Sequence, residues 1–82
     1  MESEERLIEP PVRLPGLVII PVARVLRRRG RRFVLGVKQP VGLVLITGEG
    51  RRAFRVSGEE VAVADLVAET PALAEALSRE ML

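Results

Sequence analysis

The chain contains no cysteine and no histidine. Without cysteine there is neither a disulfide framework nor a thiolate metal site, and this usage suits a reducing compartment. Without histidine, the side chain most often used for proton transfer near neutral pH is missing, and neither a Ser–His nor a Cys–His nucleophile can be built. The hydroxyls are Ser3, Thr47, Ser57, Thr70 and Ser78, and Gln39 is the single side-chain amide. A metal site would have to be made of carboxylates alone, a poor match to zinc, copper or iron. The acidic pair Glu59–Glu60 lacks the Asp/Asn/Gly spacing of a calcium loop and reads as a solvated turn. No catalytic residue, metal ligand or cofactor is expected, and no small-molecule substrate. The chain reads as non-enzymatic.

Tryptophan and tyrosine are also absent, and Phe33 and Phe54 are the only aromatics. The core must come from Val, Leu, Ile and Ala, the larger of which contribute roughly 1.5–3 kcal/mol each when fully buried. At 82 residues there is room for one domain, and a domain of that size buries only about 60% of its unfolded surface. Long apolar runs are missing too. "LPGLVIIPVA" is too short to span a bilayer and carries two prolines. "MESEERLIEP" is acidic and unlike a secretory signal peptide. A soluble, cytoplasmic protein without membrane contact is expected. Lysine is nearly absent, Lys38 standing against twelve arginines. That bias points to a GC-rich genome and is compatible with a thermophile, although hyperthermophile proteomes favour lysine and glutamate. It also weakens a functional reading of any one arginine.

The charge that is present is sorted along the chain. Residues 1–23 carry a balance of −2, residues 24–55 of +9 and residues 56–82 of −5. The formal net charge of +2 therefore hides a basic middle between acidic ends. Such asymmetry points to an anionic partner, or to neutralisation within the molecule. The centre of the basic segment is "RVLRRRGRRF" (24–33).

Residues 1–16, with "EPPVRLPG", read as an extended, proline-rich arm. Residues 17–82 read as one β-rich domain. "LVIIPVARVLRR" is a strand, or two segments bent at Pro21, where a proline argues for an edge or a bulge. "RRFVLGVK" is a second strand with Phe33, Leu35 and Val37 on one face. "QPVG" reads as a turn, "LVLIT" as a third strand and "GEGR" as a second turn. "RAFRVS" is a fourth strand with Phe54 and Val56 inward and Arg51, Ala53 and Arg55 outward. "VAVA" is a short fifth strand; Ser57 with Glu60 matches a capping box, so a helix over 58–69 competes there. Thr70 as N-cap and Pro71 at the first helical position begin a C-terminal helix over 71–82, with Leu73, Ala74, Leu77 and Met81 on one face. The predicted class is α+β, mainly β: a small antiparallel meander or barrel-like sheet of four to five strands, one C-terminal helix and an extended N-terminal arm. "LVII" and "LVLI" are apolar on both faces, whereas a half-solvated sheet alternates. A homo-oligomer is expected from this, unless helix and arm suffice as cover.

If Arg29–Gly30 is a two-residue turn, Arg28 faces Arg31 and Arg27 faces Arg32. Directly opposed like charges cost roughly 0.2–1 kcal/mol per pair, and an anion would compensate. Arg51, Arg52 and Arg55 on a second hairpin would extend the patch into a basic stripe, the electrostatic footprint of nucleic-acid binding. Guanidinium forks suit phosphate. "TGEGRR" has Gly-x-Gly without the Lys-Ser/Thr of a phosphate loop, and reads as a hairpin turn that needs positive φ. With no surface aromatics for stacking, recognition of a DNA or RNA backbone is favoured over bases.

"GRRAFRVSGEEVAVADLVAETPALAEAL" (50–77) resembles the C-terminal half of the RemA-type small DNA-binding regulators. Those also carry a Gly-Arg-Arg stretch on a β element, a short acidic turn, a strand and a terminal segment containing Glu-Thr. The likeness covers about the last third of the chain with a gap. It fails over "RRFVLGVKQPVGLVLIT", strand-like here where the family has a helix. It implies Arg51 and Arg52 as a DNA-contacting pair in a ring-shaped oligomer.

Two function classes remain. One is a phosphate-backbone binder using Arg27, Arg28, Arg29, Arg31, Arg32, Arg51, Arg52 and Arg55. The other is a homo-oligomeric structural or interaction module whose arginines are neutralised by its own acidic C-terminal region or by a partner.

Overall fold

The computed structural model of the protein describes residues 2–30 and 34–80. Six strands form one antiparallel sheet: β1 (Glu2–Ile8), β2 (Val12–Leu14), β3 (Leu17–Arg29), β4 (Val34–Thr47), β5 (Gly50–Arg55) and β6 (Glu60–Val61). Two short helices follow, α1 (Val63–Glu69) and α2 (Ala72–Arg79). The expected α+β, mainly β class is observed. The barrel-like alternative is not: strand order is β1–β3–β4–β5–β6, with β2 also on β3, and the two ends do not meet. Among the described residues there are six strands where four or five were expected, and two helices where one was. The additional strands are β1 and β2, drawn from the segment expected as an arm.

β3 and β4 pair along their whole length, from Leu17↔Thr47 to Arg29↔Val34. Their outer half projects beyond the helices as a ribbon flanked by β1. The molecule is correspondingly long, 50 × 21 × 20 Å. Its Cα radius of gyration is 14.4 Å, against about 12 Å for a compact domain of this length. The "QPVG" turn is corrected to strand. Val22 pairs with Gly42 but Ala23 with Pro40, so Val41 is one extra residue in β4, a β-bulge. Pro40 and Gly42 belong to that bulge; the continuous ladder with β3 overrides their turn preference.

Pro21 sits inside β3 without breaking it. In an antiparallel ladder a residue's N–H and C=O point to the same neighbour. The Pro21 carbonyl accepts the Glu9 N–H at 2.9 Å, so its missing donor falls in the gap between β1 and β2. Glu9, Pro10 and Pro11 bridge that gap, and two of them are prolines as well.

The core lies between the sheet and the helices. Val18, Ile20 and Val22 of β3, Val44 and Ile46 of β4 and Ala53 of β5 are buried against Leu66 of α1 and Leu73, Ala76 and Leu77 of α2. Ala74, expected on the buried face, is exposed, and Ala76 takes its place; Met81 lies outside the described residues. "VAVA" is strand only as far as Val61, and α1 starts at Val63 with Ala62 as an N-cap that makes no side-chain cap bond. The Ser57–Glu60 box is not formed: Ser57 Oγ instead accepts the Glu59 N–H at 3.4 Å. Thr70 is not the N-cap of the last helix. Pro71 holds that position, while the Thr70 N–H closes α1 onto the Leu66 and Val67 carbonyls. Among the described residues no helix is long and apolar enough to cross a membrane.

Candidate interaction surfaces

Strand alternation gives the sheet two faces. One carries the core. The register places Leu17, Ile19 and Pro21 beside Leu45 and Leu43 on the other, with Phe54 opposite Leu43. Val12 and Leu14 of β2 continue this surface, lying opposite Ile19 and Leu17. No described element covers it. The central side chains are half-buried by one another, whereas Val12 and Leu14 at the rim are 46% and 51% exposed. A groove of about 710 Å³ crosses the face between Pro21, Leu43, Leu45 and Phe54. The expected phase of β5 is thus inverted. Ala53 is fully buried on the face that α1 packs over, and Phe54, the next residue, faces outward.

The basic ribbon differs from the expected hairpin. Arg29–Gly30 is not a two-residue turn: Arg29 pairs with Val34, Arg28 with Leu35 and Arg27 with Gly36. The opposed arginine pairs do not form, and Arg31, Arg32 and Phe33 lie outside the described residues. On its other side the ribbon meets acidic β1, with Glu2 opposite Arg28, Ser3 opposite Arg27 and Glu4 opposite Leu26. Glu5 Oε1 accepts from Arg27 Nη1 at 2.9 Å. Glu4 lies 3.9 Å from Arg24 and 3.3 Å from Arg6, and Glu9 pairs with Lys38. Arg27, Arg28 and Arg29 are all solvent-exposed.

The β5 arginines are held by the C-terminal half. Arg52 donates through Nε and Nη2 to the Glu60 carboxylate at 2.9 and 2.8 Å, and its guanidinium lies 5.3 Å from the Phe54 ring centroid. Arg55 donates through both terminal nitrogens to Glu69 at 2.8 and 2.6 Å. Arg51 donates to the Leu77 carbonyl at 3.1 Å, at the negative end of the α2 dipole. Hydrogen bonds from Arg52 and Arg55 hold the Glu60 and Glu69 carboxyls below the usual glutamate value, and the same pairs raise the two guanidinium values. Arg52 faces the open surface; Arg51 and Arg55 face the helices. Arg51 and Arg52 therefore do not share a surface, and among the described residues no single stripe joins them to Arg27, Arg28 and Arg29.

Several residues of these surfaces carried no sequence signal of their own. Glu4, Glu5 and Glu9 matter because β1 runs antiparallel to β3, bringing the acidic end of the chain onto its basic middle. Arg13 reaches across to the Glu80 carboxylate at the end of α2, Nε donating to Oε2 at 3.1 Å. The charge sorting along the chain was the one available hint.

No family model matches the chain, no curated protein matches it, and no solved structure matches it. The resemblance of residues 50–77 to the RemA-type regulators has no family match behind it.

Proposed function

We propose that this protein is a non-enzymatic interaction module that pairs with a second copy of itself through the open face of its sheet. The apolar character of that face carries the proposal. An antiparallel sheet with one face in water alternates apolar and polar residues. Here Leu17, Ile19, Leu43, Leu45 and Phe54 occupy positions where such alternation would place polar side chains. Two sheets packed face to face about 10 Å apart would bury them. A copy of the chain suits the face because its charges come as neutral pairs, Arg52 with Glu60 and Lys38 with Glu9. A two-fold contact then brings no unbalanced like charge together. Arg52 and Arg55 of β5 and Arg27 of the ribbon are already neutralised within the chain, which favours this function over binding of a polyanion.

Light scattering coupled to size exclusion tests it. The wild type is expected to elute at twice the chain mass, and Leu14→Glu with Val12→Glu at the chain mass. Both rim positions are about half exposed, so the substitutions spare the fold. A wild type that stays monomeric at high concentration would sink the proposal.

One observation favours a second function. Arg27, Arg28 and Arg29 are exposed together near the end of the projecting β1–β3–β4 ribbon, where the phosphates of a duplex would meet three successive cations. Duplex binding would then fall with salt at a log–log slope of about −0.9 per phosphate neutralised. Anisotropy with a labelled duplex at two salt concentrations checks this, and Arg27→Ser with Arg28→Ser is expected to remove the binding. No binding at low salt rejects it.

A further inference from the structure

On the helix side of the sheet, where the ribbon leaves the core, Arg6 of β1 stands directly opposite Arg24 of β3. Directly opposed like charges in a sheet are unfavourable, yet here the ladder runs through them unbroken. A third guanidinium, Arg55, lines the same cleft, as does Ser57. The Val41 bulge forms part of its wall.

Two carboxylates face these three cations. Glu69 is engaged sideways by both terminal nitrogens of Arg55. Its Oε1 is 4.0 Å from Arg6 Nη1, beyond hydrogen-bond reach. Glu4 lies 3.3 Å from Arg6 Nε and 3.9 Å from Arg24 Nη1. Arg24 Nε is taken by Gln39 at 2.9 Å. Glu59 and Asp65 act on Arg55 from farther off, so the side of the cluster least offset by carboxylates is that of Arg6 and Arg24, which share Glu4. Arg6 Nη1, moreover, is buried and makes no hydrogen bond at all. A buried guanidinium donor left unpaired is costly, and neither carboxylate comes within hydrogen-bond reach of this nitrogen. Ser57 accepts a backbone N–H through its Oγ, which leaves its proton to donate.

We propose that this cleft binds one small oxyanion group, a phosphate or a carboxylate, held by Arg6 and Arg24 with Arg55 and Ser57 at its edge. The volume is about 220 Å³, smaller than the roughly 300–1,000 Å³ of pockets that enclose whole organic ligands. It admits an anionic group and not a nucleotide. Guanidinium forks match either anion in geometry. The site lies on the opposite face of the sheet from the surface assigned to self-association and stands or falls independently of it.

Thermal unfolding in chloride, acetate and inorganic phosphate at matched ionic strength and pH tests the proposal. A Tm that rises with phosphate and saturates identifies a phosphate site; a saturating rise with acetate identifies a carboxylate site. Arg6→Gln is expected to abolish the rise while its Tm in chloride equals or exceeds that of the wild type, because the opposed pair is gone. Equal Tm values in all three salts overturn the proposal, and so does a rise that survives Arg6→Gln. The wild type offers a second measurement that needs no variant. In a phosphate or acetate titration followed by NMR, saturable shifts of the arginine Nε–Hε resonances confined to Arg6, Arg24 and Arg55 support the site. Shifts spread over all arginines reduce the effect to screening and overturn it.

Discussion

Gly42 and Gly36 lie six residues apart in the same strand, and adding one methyl group should do opposite things at the two positions. Gly42 is the point where β4 leaves the bulge and begins to pair with β5, opposite Arg55. A Cβ there would lie deep inside the van der Waals envelope of the Phe54 carbonyl oxygen, with Phe54 C and Arg55 Cα both at 3.3 Å. All three are backbone atoms, so no side chain can rotate aside; the β4–β5 ladder itself must move. Overpacking of a tight interior costs about 1–3 kcal/mol, and a rigid backbone neighbour places Gly42→Ala at the upper end. The whole domain has on the order of 4–12 kcal/mol to lose, and each kcal/mol is about 4–8 °C of Tm at this size. Gly42→Ala is therefore expected to lower Tm by roughly 10–20 °C. At Gly36 nothing lies within 4 Å of the added carbon and φ is not positive. Gly36→Ala is expected to leave Tm unchanged, or to raise it through the stiffer unfolded chain, an effect of about 0.4–1 kcal/mol. Circular dichroism melts of the two variants beside the wild type decide the matter. A Gly42→Ala protein that melts with the wild type would show that β5 does not seat on β4 in this register.

Leu66→Ala empties a fully buried position and should cost about 2–5 kcal/mol by urea unfolding, enough to unfold a large fraction of the protein at 37 °C. Thr70 is fully buried and its Oγ1 has no hydrogen-bond partner, so Thr70→Val should raise the urea midpoint by removing an unsatisfied group. The Glu60 and Glu69 carboxyls are held below their ordinary value; such groups add stability above the unfolded value, about 4.3, and lose it as pH falls through the lower folded value. Tm should accordingly be flat near neutrality and decline below about pH 4.3, with Glu60→Gln plus Glu69→Gln flattening the decline. Glu4→Gln plus Glu5→Gln removes the acidic neighbours of the ribbon, and should increase salt-sensitive binding of a labelled DNA duplex in anisotropy, while the wild type binds less.

Much of the sheet was legible because β-branched runs and Gly-Glu-Gly punctuation have local causes. Leu17–Arg29 and Gly50–Arg55 need no distant partner to read as strands. What was not legible depended on distant residues. "ESEERLI" is a poor strand former by composition, and becomes β1 because β3 offers it a hydrogen-bonding edge and a row of opposite charges. "QPVG" has the composition of a turn and is held extended by pairing with Ala23 and Val22. Phe54 was placed inward by strand alternation with the arginines outward, but the phase is the reverse and Ala53 is the residue buried beneath α1. The charge sites show the same limit. That arginine would be neutralised from within was an open alternative in the sequence, yet half of the neutralisation comes from the acidic N-terminal strand and not from the C-terminal region. The opposed pair Arg6–Arg24 could not be seen until the register of β1 was known.

Beyond the bulge, β4 has β3 on one side and no described strand on the other, since β5 pairs only from Gly42 onward. A bare strand edge invites another chain to add to it, and a molecule that could join copies at both edge and face would grow without limit. This edge reads "GVKQP", residues 36–40. Pro40 offers no N–H to an incoming strand, and Gly36 has no side chain to hold it. With its edge closed in this way, the proposed pairing through the face would end at two copies and would not seed fibres.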